Sequence, residues 1–343
     1  AARIRTPVRR QSRDPLIAQQ EEQQAGRKPM RSTRIHALRP ALAFLLTLLC
    51  LGAFQAAAQT LASGEGVANR ARPGYDANGI AVGKMTLLPR VGGEVRYSNN
   101  VLAENELRID DTAFLVSPQI LLESRSERHL VEVGANADLA RFADRETESY
   151  HDARVWAVTR RDLGPGEIEG ELRVARLHQE RASPDDLGCT HYNDEILCTR
   201  LTEFRTDRAA VAYSYLPGRL MLRGDLSYTT TDYDDTLLPL RTRAMSNDDR
   251  DRSSADVGLR LGYAFSPAYA AYVETRIDST EYEQRKDRDG FQRSSEGIEA
   301  RLGMLLDFSG NTVGEAYLGY FERDFADQRF GTAGGPTFGA DIR

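Results

Sequence analysis

The sequence has no long apolar run. Its longest, Ala41 to Phe54, falls short of the roughly 20 residues a spanning helix needs, so a polytopic helical membrane protein is excluded. Cysteine is scarce at three residues, too few for a disulfide-built scaffold, and tryptophan occurs once. Lysine is rarer still along most of the chain: after residue 58 only Lys84 and Lys286 remain. Among the five histidines none stands in a nucleophile, metal or phosphate motif, and no glycine-rich phosphate loop precedes a helical pattern. A polar composition with 28% charged residues fits a soluble protein, but it fits a transmembrane β-barrel equally, because barrel strands alternate polar and apolar residues.

What is present begins with a leader. Met30 opens a basic stretch (Arg31, Arg34, His36, Arg39), an apolar segment follows, and Gln55-Ala56-Ala57-Ala58 supplies a small-residue cleavage site. Residues 30–58 therefore read as a secretory signal peptide, and residues 1–29, which lack periodicity, as an upstream extension outside the mature protein. Of the 45 basic and 51 acidic side chains, ten and three lie in residues 1–58, which leaves the remainder at a net charge of −13. So acidic a chain is a poor nucleic-acid binder.

Export also bears on the cysteines. Cys50 leaves with the leader, and Leu49 before it is the wrong residue for a lipid anchor. Cys189 and Cys198 bracket a polar loop and are candidates for a disulfide in an oxidising compartment. A metal set of Cys189, His191 and Cys198 is the competing reading, weakened by a spacing that matches no zinc pattern. No metal or other cofactor is expected.

From Lys84 onward one theme repeats. In Ala255 to Phe265 every second residue is apolar and those between are charged or small; Ile298, Ala300, Leu302, Met304 and Leu306 alternate in the same way with Glu299 and Arg301. Eleven strands are predicted, over 84–98, 112–125, 129–142, 150–162, 167–180, 202–215, 220–233, 252–265, 268–282, 294–308 and 313–325. Every second connection is tight and those between are long and polar. In an up-and-down meander this sets all tight turns at one end, the layout of an outer-membrane barrel with periplasmic turns and extracellular loops. The fold class is all-β: an antiparallel up-and-down transmembrane β-barrel over 84–343, preceded by a periplasmic segment at 59–83. Eleven strands is an odd number and a twelfth only begins near Gly335, so the barrel is expected to be incomplete, with eleven to twelve strands present and a truncated C-terminus.

An Arg facing lipid at mid-membrane costs about 2–4 kcal/mol, which turns the charged parity inward. Arg90, Glu94, Arg96, Asp256, Arg260, Glu274, Arg276, Glu299 and Arg301 are the lumen-facing candidates. Val257, Leu259, Leu261, Ile298, Leu302 and Met304 would meet outer-membrane lipid, and Tyr97, Tyr215, Tyr228, Tyr233, Tyr263, Phe265 and Phe308 would form interfacial girdles. No catalytic residue is assigned. His178 beside Glu180 or Asp185 has acid/base potential but no supporting spacing, and Asn247 to Asp251 lacks the spacing of a calcium loop.

The stretches Gly74-Tyr75-Asp76-Ala77-Asn78-Gly79-Ile80-Ala81-Val82-Gly83, Leu88-Pro89-Arg90-Val91, Tyr97-Ser98-Asn99-Asn100-Val101, Ser117-Pro118 and residues 134–142 resemble the putative beta-barrel porin 2 family. The resemblance covers most of the chain from about residue 74. It implies a porin-like outer-membrane barrel of the Gram-negative envelope, tied to exopolysaccharide or capsular polysaccharide biosynthesis and export, with polysaccharide and export machinery as partners. It carries no catalytic residues. A polysaccharide-modifying barrel enzyme and a surface adhesin or receptor acting through the long loops are the alternatives.

Overall fold

The computed structural model describes residues 78–104, 108–181, 183, 188–192, 195–237, 244–307 and 312–342. The expected leader and extension at 1–58, residues 59–77, Asp185 and Phe308 lie outside the described residues.

Among the described residues seventeen strands occur in chain order: β1 (Ile80–Val82), β2 (Met85–Ser98), β3 (Asp111–Ser126), β4 (His129–Phe142), β5 (Tyr150–Asp162), β6 (Gly166–His178), β7 (Cys189–Tyr192), β8 (Glu195–Cys198), β9 (Glu203–Tyr215), β10 (Leu220–Tyr233), β11 (Thr236–Leu237), β12 (Ala244–Met245), β13 (Arg252–Ser266), β14 (Tyr269–Tyr282), β15 (Ser295–Asp307), β16 (Val313–Phe325) and β17 (Thr332–Ile342). Thirteen form one antiparallel sheet in the order β1-β2-β3-β4-β5-β6-β9-β10-β13-β14-β15-β16-β17, so every neighbour is also a sequence neighbour within the meander. Among the described residues, β1 and β17 are its two edges. The pairs β7–β8 and β11–β12 are small hairpins inside two of the long loops.

The eleven expected strands are present with ends within two residues of those predicted, and β17 makes a twelfth long strand. The thirteenth, β1, falls in what the sequence marked as the N-terminal segment. It folds back on β2 through Gly83, whose φ of +62° few residues other than glycine adopt. Tight turns at 127–128, 163–165, 216–219 and 267–268 lie at one end of the sheet. The long connections 99–110, 143–149, 179–202, 234–251, 283–294 and 326–331 lie at the other.

Burial is inverted relative to a water-soluble domain. Val91, Phe114, Ile120, Leu172, Leu261, Val273, Leu302, Leu318 and Phe338 are exposed, while Asp111, Asp152, Glu274 and Asp327 are buried. The exposed apolar side chains share one face. The registers Leu259↔Thr275↔Ala300↔Tyr320 and Leu261↔Val273↔Leu302↔Leu318 carry that face across four strands. On β15 the band runs from Ile298 to Leu306, nine residues. At ~3.3 Å per residue and a tilt of roughly 45° these cover about 21 Å, close to the height of a bilayer's apolar band. A contiguous apolar surface of this extent is stable in lipid and not in water.

Aromatic residues close the band at the tight-turn end, where Tyr213 and Tyr215 stack at 6.4 Å and Phe265 and Tyr269 at 6.2 Å. Tyr263 joins them, and Tyr97 and Tyr228 are exposed toward the opposite end. Tyr233 departs from the girdle expectation. Strand parity turns it to the opposite face from Tyr228, against Phe204 at 5.2 Å and beneath the Arg250 guanidinium at 3.9 Å. An odd separation along a strand always changes face.

On the opposite face, glycine and aromatic residues are paired across strands. Gly134 lies opposite Trp156, Gly303 opposite Tyr272 and Gly339 opposite Tyr317. In each case a Cβ on the glycine would land on the partner's ring. Replacing Gly134 with Val is therefore expected to displace Trp156 and destabilise the fold by about 1–3 kcal/mol, the usual range for overpacking. Trp156 is the chain's one tryptophan, so a shifted emission maximum together with a lowered unfolding midpoint is the readout; unchanged emission would contradict the packing.

The long loops are fastened to one another. Arg250 donates to Gln179 Oε1 at 2.7 Å, the Arg288 backbone N–H donates to Asp249 Oδ2 at 3.0 Å, and the Gln292 N–H donates to Asp327 Oδ2 at 3.0 Å. Arg329 reaches back to Asp327 at 2.6 Å and covers Phe291 at 4.0 Å. Its guanidinium, hydrogen-bonded to Asp327, holds that carboxyl well below the ordinary range.

Candidate functional site: the charged face

The face opposite the apolar band carries the charges, and the register shows how. Gly258↔Arg276↔Glu299 and Arg260↔Glu274↔Arg301 form successive rows across β13, β14 and β15. β10 extends them, with Asp225 opposite Gly258 and Arg223 opposite Arg260. Alternation along each strand places these side chains on one surface.

Within that surface arginines and carboxylates interlock. Arg260 donates to Glu274 Oε2 from Nε at 2.9 Å and from a terminal nitrogen at 2.5 Å, while Arg276 reaches Glu274 Oε1 at 3.2 Å. Arg276 also reaches Asp225 at 3.2 Å, and Arg260 reaches Glu315 at 3.2 Å. The Tyr272 hydroxyl donates to Glu315, and the Arg260 guanidinium lies 4.1 Å from the Tyr272 ring centroid. Glu299 accepts from Arg301 at 2.6 Å and from Thr337 at 2.9 Å, and Arg301 covers the Tyr317 ring at 4.8 Å. Hydrogen bonds that pair full charges are the strongest of their kind, and aromatic faces beneath arginines add to them.

Six of the nine sequence-derived candidates, Asp256, Arg260, Glu274, Arg276, Glu299 and Arg301, stand together on β13, β14 and β15. Asp256 accepts from Ser227 at 3.3 Å. Arg90, Glu94 and Arg96 stand apart on β2; Glu94 and Arg96 pair at 3.0 Å, and Arg90 lies opposite Gln119. Several members of the array escaped the sequence reading. Arg323 pairs with Asp278 at 2.6 Å, Arg154 with Asp138 at 2.7 Å, and Glu169 receives Arg160 at 3.1 Å and Arg223 at 3.4 Å. The period-two parity of their own strands was the signal that would have found them.

Cys189 and Cys198 are disulfide-bonded, directly opposite each other in the β7–β8 hairpin, with Cα atoms 4.0 Å apart. His178 pairs with Asp152, whose carboxylate accepts from the histidine's backbone N–H and from Nδ1, both at 2.9 Å. The sequence had offered Glu180 or Asp185 as its partner. Among the described residues, no cluster of three or more histidine, cysteine or acidic side chains is arranged to hold a metal ion.

The family model for putative beta-barrel porin 2 matches residues 72–343. No curated protein matches the chain. Among solved structures, the translocator domain of the autotransporter NalP from Neisseria meningitidis aligns at 12% identity over 75% of this chain and 85% of that one, with a TM-score of 0.36. A loop L8 deletion mutant of OmpT, an outer membrane protein of Vibrio cholerae, aligns at 7% identity over 76% of this chain and 100% of that one, with a TM-score of 0.38. The beta domain of the Bordetella autotransporter BrkA aligns at 13% identity over 75% and 97%, with a TM-score of 0.32. The family match spans most of the chain and agrees with the meander, the exposed apolar band and the segregated charges: the chain belongs to the putative beta-barrel porin 2 family and is a β-barrel protein of the bacterial outer membrane.

Proposed function

We propose that the charged face lines a hydrated passage and that the protein is a porin-like component of exopolysaccharide or capsular polysaccharide biosynthesis and export. Arg90, Glu94, Arg96, Asp256, Arg260, Glu274, Arg276, Glu299 and Arg301 then face the lumen, and the leader at 30–58 directs the chain to the envelope. The observation that carries this reading is the interlocked ladder from Asp225 through Arg276, Glu274 and Arg260 to Glu315. Selectivity in such a pore comes from its width and the charge of its wall. A wall whose charges are already paired offers many hydrogen-bond donors and acceptors without a net field that would trap an ion. Such a surface suits a long, hydroxyl-rich chain that exchanges contacts as it moves. The polysaccharide assignment itself draws on the family resemblance, with the export machinery as its partner.

Planar-bilayer recording on the folded full chain tests the proposal. We expect a stable conductance that the host's own surface polysaccharide, cut to soluble fragments, reduces by half or more. Absence of conductance from protein that shows heat-modifiable gel mobility would sink the passage, and conductance indifferent to the fragments would remove the polysaccharide.

A further inference from the structure

At the long-loop end, away from the ladder, a cleft of about 410 Å³ opens between the β4–β5 and β6–β9 connections. Its lining includes Glu146, Tyr150, His151, His178, Arg200 and Glu203. We propose that this cleft is a binding site for an uncharged, hydroxyl-rich saccharide of one or two rings. The assignment deepens the proposed function and rests on it for the source of the glycan.

The first argument is preorganisation. Arg181 grips Glu148 through two hydrogen bonds of 2.7 and 2.8 Å, and the two side chains are 6% and 2% exposed. The same guanidinium donates to the Thr199 carbonyl at 2.6 Å, and Thr199 adjoins the Cys189–Cys198 bridge. One wall of the cleft is thus locked to the other by a desolvated ion pair and a disulfide-closed hairpin. Burying an ion pair is a poor route to stability, because desolvation offsets the attraction; its gain is a fixed arrangement. A fixed arrangement of two walls around an open space lowers the ordering cost of binding between them.

The second argument is the chemistry of the lining. Asp152 accepts from Nδ1 of His178, which leaves Nε2 as the ring's second hydrogen-bonding atom, and His178 stacks on Tyr150 with centroids 3.8 Å apart. Arg200 adds donors, while Glu146 and Glu203 add acceptors. Both carboxylates already have an arginine partner, Arg141 at 3.6 Å and Arg176 at 2.8 Å, so the cleft carries no strong excess of either sign. An anion would meet two carboxylates and a cation would meet Arg200. Sugar hydroxyls, which donate and accept together, match the mixed set, and the volume lies within the usual span of small-ligand sites.

The test is an array of neutral and acidic oligosaccharides of one to six units, including fragments of the host's surface polysaccharide, probed with the detergent-folded full chain. We expect binding to at least one neutral glycan, weakened roughly tenfold by Arg200→Ala and by His178→Phe, the second of which keeps a stackable ring and removes Nε2. Heat-modifiable mobility reports folding, and if His178→Phe does not fold, Arg200→Ala decides alone. Binding to no neutral glycan, binding unchanged in the folded variants, or displacement by millimolar inorganic phosphate would each overturn the assignment. Bilayer conductance of the same preparations is read separately, so a failed cleft with an intact fragment-blocked conductance leaves the export reading standing.

Discussion

Leu302→Arg is expected to lower the stability of the folded protein in lipid vesicles by about 2–4 kcal/mol, measured by guanidinium titration. Leu302 sits midway along the apolar run of β15, is 54% exposed, and lies between Val273 and Leu318 on the neighbouring strands. An arginine there has lipid as its only surroundings and no carboxylate within its own row. The neighbouring Arg301 shows the contrast: one residue away, on the other face, it pairs with Glu299. A Leu302→Arg protein that unfolds at the parental midpoint would mean this face does not meet lipid. Detergent micelles adapt to the side chain, so the measurement belongs in a bilayer.

Glu274→Ala is the second large effect. Glu274 is 5% exposed and accepts from both Arg260 and Arg276. Deleting it leaves two guanidiniums facing a cavity without their shared counter-charge. Removing one partner of a buried pair typically costs about 3–5 kcal/mol, most of it the penalty of the charge left behind. We expect the lower part of that range, since Arg260 keeps Glu315 and Arg276 keeps Asp225. Glu274→Gln, which retains the shape and one acceptor, should recover part of the loss. Equal stability of the alanine variant and the parent would show that the ladder is bridged by water and not by direct pairing.

Eleven of the twelve long strands were legible because two local signals agree along this chain, while β17 (Thr332–Ile342), where the alternation only begins near Gly335, was not read as a full strand. Alternation in segments such as Ala255 to Phe265 specifies an extended backbone with two environments, and breaks such as Leu163-Gly164-Pro165-Gly166 and Pro217-Gly218-Arg219 specify where the chain reverses. β1 was not legible, since three apolar residues between Gly79 and Gly83 carry no period. The strands of the β7–β8 and β11–β12 pairs, four and two residues long, are too short for an alternating pattern to register. The charged face was legible in part. Parity assigns a side chain to a face, but the pairing of Arg276 with Asp225, 51 residues earlier, depends on register across three strands. His178 makes the same point: its partner Asp152 lies across the strand pair and not beside it in sequence. Tyr233 shows the limit of composition, since an aromatic residue near a strand end belongs to a girdle only when its parity turns it outward.

The scarcity of lysine has a practical consequence. After residue 58 the two lysines fall at opposite ends of the sheet, both exposed: Lys84 in the turn joining β1 to β2, Lys286 in the connection between β14 and β15. Almost every other cation is a guanidinium, inert to acylating reagents. The molecule therefore carries its own pair of orthogonal labels. With the long loops outward, a membrane-impermeant amine reagent applied to intact cells is expected to mark Lys286 and to spare Lys84 until the envelope is opened, and the ratio of the two adducts, measured by peptide mass spectrometry, reads the orientation of the chain without any engineered tag; equal labelling of both on intact cells would contradict it.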